Sequence, residues 1–182
     1  MHSGDTSTPA ERLRLIDKYF LAPGSGGPRA ERTARATEPA AALRLDVYDH
    51  LRGSVDEAAE LAKSLCDGAE PYEPRPAKLE DTYRWLVEET SHLDQRRQMA
   101  RDAVIYRQGL QHAILMGDAD IICRHPCPDC VTWGLVWDRH REQVVCRNHH
   151  CADDDGRPTT WTLKQLAEDH IARKNHLVAR AT

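Results

Sequence analysis

Cys127-Pro128-Asp129-Cys130 and Cys146-Arg147-Asn148-His149-His150-Cys151 place two close groups of thiols fifteen residues apart. Between them, Val131 to Asp138 is rich in β-formers and alternates in part, with Trp133 and Trp137 on one parity. Glu142 to Cys146 reads as the return strand, and Asp138-Arg139-His140-Arg141 supplies the turn. A hairpin with cysteines at its open end brings four thiols together. Zn²⁺ takes four soft or borderline ligands in a tetrahedron, and thiolates are the commonest structural set. The pattern predicts a zinc ribbon, with Zn²⁺ as the cofactor and Cys127, Cys130, Cys146 and Cys151 as its ligands. The turn of the first pair is expected to aim backbone amides at its first thiolate, Cys127.

The fourth position has competitors. His149 would give a Cys₃His site with only two residues between the members of the second pair. His150 and Cys123 are further alternates, and Cys123, Cys127 and Cys130 resemble part of an iron–sulfur run. Four soft ligands predict a closed structural site, because a catalytic zinc needs an open position, a general base and a pocket. His140, Asn148 and His149 between the cysteine pairs also permit a zinc-stapled, nuclease-like reading. Cys66 stands far from the cluster and reads as a small buried hydrophobe.

Outward from the cluster, the chain reads as helical. Thr162-Leu163-Lys164-Gln165 has the spacing of a capping box and opens a helix from Leu163 to about Val178, with Leu166, His170 and Leu177 over the hairpin. Thr160-Trp161 can add a short third strand. Upstream, the longest helical pattern runs from Lys78 to about Met116, with a break expected near Ser91. Its Arg96, Arg97, Arg101 and Arg107 read as a solvated face. Gly53 is expected to end one helix and Ser54-Val55-Asp56-Glu57 to cap the next, which runs to about Cys66. Residues 1–8 are small and polar and are expected to be disordered. A helix from Pro9 to Leu21 precedes a Gly/Pro break at 23–28, and Pro71, Pro74 and Pro76 make an extended linker. The fold class is therefore mainly α: a helical N-terminal region over 9–76, a long helix or helical hairpin over 78–117, and a small β zinc ribbon with a packed C-terminal helix over 123–178.

The 182 residues carry a net charge of −4, unevenly spread. Residues 1–122 hold 16 Lys/Arg against 21 Asp/Glu, and residues 123–182 hold 9 against 8 with six of the ten histidines. No segment is basic enough for strong non-specific attraction to DNA. No stretch approaches 18 apolar residues, so no membrane span is expected, and the paired cysteines without a secretory pattern point to a cytoplasmic metal protein.

Cys127-Pro-Asp-Cys130, Gly134-Leu-Val-Trp-Asp138 and Val144-Val-Cys146 resemble the zinc ribbons of small regulatory or accessory proteins from actinobacteria and their phages. The resemblance implies that Cys127, Cys130, Cys146 and Cys151 are ligands, and that the protein acts on DNA or in phage-related regulation. The segment after Thr162 reads as one helix, where a helix-turn-helix needs two. Two binding classes compete: a DNA-associated regulatory or accessory protein, and a protein-interaction or assembly module. Trp133, Trp137, Arg139, Arg141 and Arg147 are the candidate contacts to nucleic acid or a partner, with the tryptophans alternatively shielding the metal. A homodimer through residues 78–116 is a further expectation, with Tyr83, Leu86, Val104 and Leu110 at the seam.

Overall fold

The computed structural model describes Thr8, Glu11 and residues 40–67, 74–76 and 81–181. The expected disorder at 1–8, the helix from Pro9, the 23–28 break and the Pro71 part of the linker lie outside these residues, Thr8 and Glu11 excepted. The Thr8 amide donates to the Glu11 carboxylate at 2.6 Å and the Glu11 amide to Thr8 Oγ1 at 3.2 Å. These are the reciprocal bonds of a capping box.

The described elements are α1 (Ala40–Leu65), α2 (Thr82–Glu89), α3 (Gln95–Leu115), a 3₁₀ turn (Ala119–Arg124), β1 (Leu135–Asp138), β2 (Gln143–Cys146), β3 (Thr160–Trp161) and α4 (Leu163–Ala181). The protein is mostly helical, with a small antiparallel sheet of order β1-β2-β3 and a C-terminal helix.

α1 runs through Gly53 without a stop, which corrects the expected boundary. Ser54 Oγ donates back to the His50 carbonyl at 2.9 Å instead of capping a new helix. Glu57 is drawn to α3, where Arg107 grips its carboxylate and Gln108 Nε2 donates to it at 2.8 Å. Leu51, Val55, Ala58 and Ala62 are buried on both sides of the glycine. That burial outweighs the roughly 0.5–1 kcal/mol a mid-helix glycine costs. The α1–α3 contact is keyed by polar groups: Gln108 Nε2 donates to the Ser54 carbonyl at 3.1 Å, and His112 Nε2 lies 3.4 Å from Ser54 Oγ.

The break expected near Ser91 falls at Thr90–Asp94, where Asp94 accepts the Arg97 amide at 3.0 Å and caps α3. The arginines do not form the expected solvated face. Arg101 is buried and donates to Thr90 Oγ1 at 3.1 Å, Arg107 turns inward to Glu57, and Arg97 binds the Leu65 carbonyl and Asp67. Of the four, Arg96 alone stays exposed. Each guanidinium drawn inward finds acceptors that helix ends and a neighbouring carboxylate offer, so desolvation is offset by charge-assisted bonds.

Two apolar clusters stand out among the described residues. Ala58, Ala62, Trp85 and Leu86 form the first, between α1 and α2. The second joins the sheet to α3 and α4 through Leu110, Ala113, Ile122, Leu135, Val144 and Leu166. Tyr83, Leu86 and Leu110, expected at a dimer seam, are buried within the chain, and Val104 is half-buried. α4 opens as expected: the Thr162 amide donates to Gln165 Oε1 at 2.8 Å and the Gln165 amide to Thr162 Oγ1 at 3.2 Å. Leu166 reaches the sheet core, but His170 stacks on Tyr106 of α3 with ring centroids 4.1 Å apart, and Leu177 is 70% exposed. The helix thus spans sheet and α3 rather than lying over the hairpin alone. Among the described residues no helix is long and apolar enough to cross a membrane.

A Cβ at Gly53 would meet nothing within 4 Å. Gly53→Ala is therefore expected to stabilise the protein by about 0.5–1 kcal/mol in urea unfolding. A neutral or destabilising result would mean that α1 is interrupted there.

Candidate metal centre

β1 and β2 pair with Leu135 opposite Cys146 and Asp138 opposite Gln143. The ladder carries on past the strands, the Arg147 amide donating to the Gly134 carbonyl at 3.0 Å. This register sets Cys146 beside the first knuckle. In that knuckle the Val131 amide donates to the Cys127 carbonyl at 3.0 Å and the Cys127 amide to the Thr132 carbonyl at 2.9 Å. The turn needs a positive φ at Val131, +60°. A β-branched residue there is strained, so the surrounding bonds must hold it. The second knuckle closes through the Cys151 amide on the Asn148 carbonyl at 2.9 Å and the Thr159 amide on the Cys151 carbonyl at 3.2 Å.

The result is a cluster of Cys127, Cys130, Cys146 and Cys151, whose sulfurs all lie within 4.8 Å of one another and could hold a metal ion. The Cys127–Cys151 and Cys130–Cys146 sulfurs are 3.7 and 3.8 Å apart. A tetrahedral thiolate site with metal–sulfur bonds near 2.3 Å has edges of about 3.8 Å, so these separations match it. Cys127, Cys146 and Cys151 are buried and Cys130 is half-buried. Cys123, His149 and His150 are exposed and stand outside the cluster. Cys66 is half-buried at the end of α1.

The thiols are electrostatically unequal. Hydrogen bonds from the Thr132 side chain and amide, and from the Asn148 side chain, hold Cys130 down to about 6. The knuckle's amides were expected at Cys127, but the bond from the Thr132 amide goes to Cys130. Burial pushes Cys146 up to about 12, against the opposing pull of the Asn148 amide. A cation that binds here must displace protons from the buried thiols.

Around the cluster lie the half-buried Trp137 and Trp161, packed against its core. Arg173 Nη2 donates to the Pro128 carbonyl at 2.9 Å and ties α4 to the first knuckle. The candidate contact residues divide between two ends of the hairpin. Arg139 and Arg141 are exposed at the turn, where Asp138 Oδ1 accepts the His140 and Arg141 amides. Trp133, 70% exposed, and Arg147 lie at the knuckle end, a strand length or roughly 10 Å away. Trp137 is not part of an open platform with Trp133. His140 at the turn is likewise separated from Asn148 and His149 in the second knuckle, so these three do not converge. The buried groups missed from sequence include Trp85, His125 and Gln108. Trp85 lies within the α2 helical stripe, which could have revealed it. The other two are polar residues whose burial depends on distant partners, and local pattern does not reveal it.

No family model, curated protein or solved structure matches this chain.

A metal ion held by the four cysteines must compete with protons for the thiols. Metal content, measured by atomic emission after dialysis, is therefore expected to be highest above neutral pH and to fall as the medium is acidified. Cys127→Ser and Cys146→Ser should lose the metal, while Cys123→Ser, Cys66→Ser and His149→Ala should retain it. Loss in His149→Ala would place an imidazole in the coordination set.

Proposed function

We propose that the chain is a zinc-binding, DNA-associated regulatory or accessory protein, in which a ribbon closed by zinc presents a contact surface at its knuckle end. Four thiols at tetrahedral spacing favour zinc or an iron–sulfur centre. The paired knuckles supply four ligands to one point, which suits a single Zn²⁺ with no open position. The zinc then acts structurally, adding its binding free energy to the folding of a sheet too small to carry a core alone.

The observation that carries the DNA reading is Trp133. In a chain of 5% aromatic content it is held 70% exposed, on the segment between the first knuckle and β1. An indole held out from a pinned loop is a stacking surface for bases, and stacking is worth about 1–3 kcal/mol per base. Arg147 at the same end and Arg139 and Arg141 at the hairpin turn can meet phosphates along the ribbon. The resemblance of the knuckles to zinc ribbons of regulatory proteins supports the same reading. A protein-interaction module is the second reading, favoured by the net −5 of residues 1–122, where 16 Lys/Arg face 21 Asp/Glu.

Inductively coupled plasma analysis is expected to find about one zinc and no iron per chain, and the visible spectrum to show no iron–sulfur absorption band. Gel shifts with mixed single-stranded and duplex DNA should show binding that weakens steeply with salt. Trp133→Ala should weaken it by about tenfold, Trp133→Phe less, and Arg147→Ala should flatten the salt dependence. Absence of binding at micromolar protein in low salt would move the assignment to the protein-interaction module.

A further inference from the structure

A cavity of about 430 Å³ lies between α4 and the chain entering the first knuckle, and neither the clustered cysteines nor Trp133 line it. Its size falls in the range of small-molecule sites, roughly 300–1,000 Å³. Pro126, Leu166 and the exposed Leu177 supply aliphatic wall, and the His125 and His170 rings complete it. The His125 ring nitrogens are already engaged. Nδ1 lies 3.0 Å from the Ile121 carbonyl and Nε2 lies 2.6 Å from the Tyr106 hydroxyl. His170 stacks face to face on Tyr106 with an interplanar angle of 2°. The aliphatic wall and the engaged His125 nitrogens favour an apolar occupant along this side of the cavity.

The rim has the opposite character. Asp169, the one carboxylate there, is held by Arg173 Nε at 2.7 Å, and Arg173 also donates to the Pro128 carbonyl at 2.9 Å. These two charges offset each other. Lys174 is exposed, and among the described residues it has no carboxylate partner. One uncompensated cation thus stands at the mouth of an apolar recess. Charge complementarity selects an anion at the mouth, and the recess selects a hydrocarbon or aryl body behind it.

We propose that this cavity binds an amphipathic monocarboxylate, a small acid with an apolar tail, placing the tail along Pro126, Leu166 and Leu177 and the carboxylate at Lys174. The occupant would bridge α4 and the segment that leads into Cys127. Binding only to the folded protein, it raises the melting temperature as its concentration exceeds the dissociation constant. The site is independent of the DNA reading.

The test is calorimetric titration of the metal-loaded full chain with decanoate, with decyltrimethylammonium as the charge-reversed probe and propionate as the tailless one. Saturable binding of decanoate at one site is expected, with little from the other two. Lys174→Glu and Leu177→Asp alter exposed side chains and should leave the circular dichroism unchanged, while each weakens decanoate by about tenfold or more. Decanoate should also shift the imidazole NMR signals of His125 and His170. No saturable decanoate heat, equal binding of the cationic probe, or unchanged affinity in both variants would overturn the proposal.

Discussion

Four sulfurs from two knuckles must meet within a sphere a few ångströms across, and the C-terminal half of the protein is arranged around that requirement. The β1–β2 register brings Cys146 to the first knuckle. The turn over Asp153–Arg157 carries β3 back along β2, with Val144 opposite Trp161. Even the left-handed Val131 follows from it, since a tight turn must return the chain toward β1 within a few residues of Cys130. Glycine would adopt that φ without strain. A valine persists because the knuckle bonds on either side fix the backbone first.

The helices solve a separate problem. A sheet with strands of four, four and two residues cannot bury enough apolar surface by itself. α3 supplies the missing wall. One side of it, through Leu110 and Ala113, completes the sheet core, while Gln108 and His112 dock α1. Polar keying of this kind fixes one axial register between α1 and α3, because a shift of a turn would leave Gln108 and the Ser54 carbonyl buried without each other.

Much of the C-terminal half was legible in the sequence, because its determinants are local. Cysteine spacing, the β-formers on either side of Asp138–Arg141 and the Thr162–Gln165 capping box each act over a few residues, and each appears in the structure close to its expected place. The break between α2 and α3 was legible for the same reason, through Thr90, Ser91 and Asp94. The helical half was misread where distant partners decide. Ser54 and Glu57 have capping-box spacing, but Arg107 and Gln108, some fifty residues on, take the glutamate. Arg101 and Arg107 have the look of surface charge, and only the tertiary fold shows which carbonyl, hydroxyl or carboxylate each reaches. At the candidate site, the four cysteines were legible from spacing. The separation of Trp133 from Trp137, and of Arg147 from Arg139 and Arg141, follows from where the strand ladder begins and ends, which composition does not encode.

The shared position of α3 bears on how the protein is made. During synthesis the helices emerge before the sheet, so Leu110 and Ala113 wait for Leu135, Val144 and Leu166 to leave the ribosome. In that interval α3 can dock α1 through Ser54, Glu57 and Gln108, but its other face has no cover. The closing of the cysteine cluster, whose members lie within 25 residues of one another, is a short-range event that ends the exposure. If the cluster closes on a metal ion, a cell that runs short of that metal would accumulate chains with a formed helical half and an open apolar flank on α3, the kind of species that chaperones and proteases recognise. Abundance of the protein would then follow metal supply at the level of nascent-chain survival.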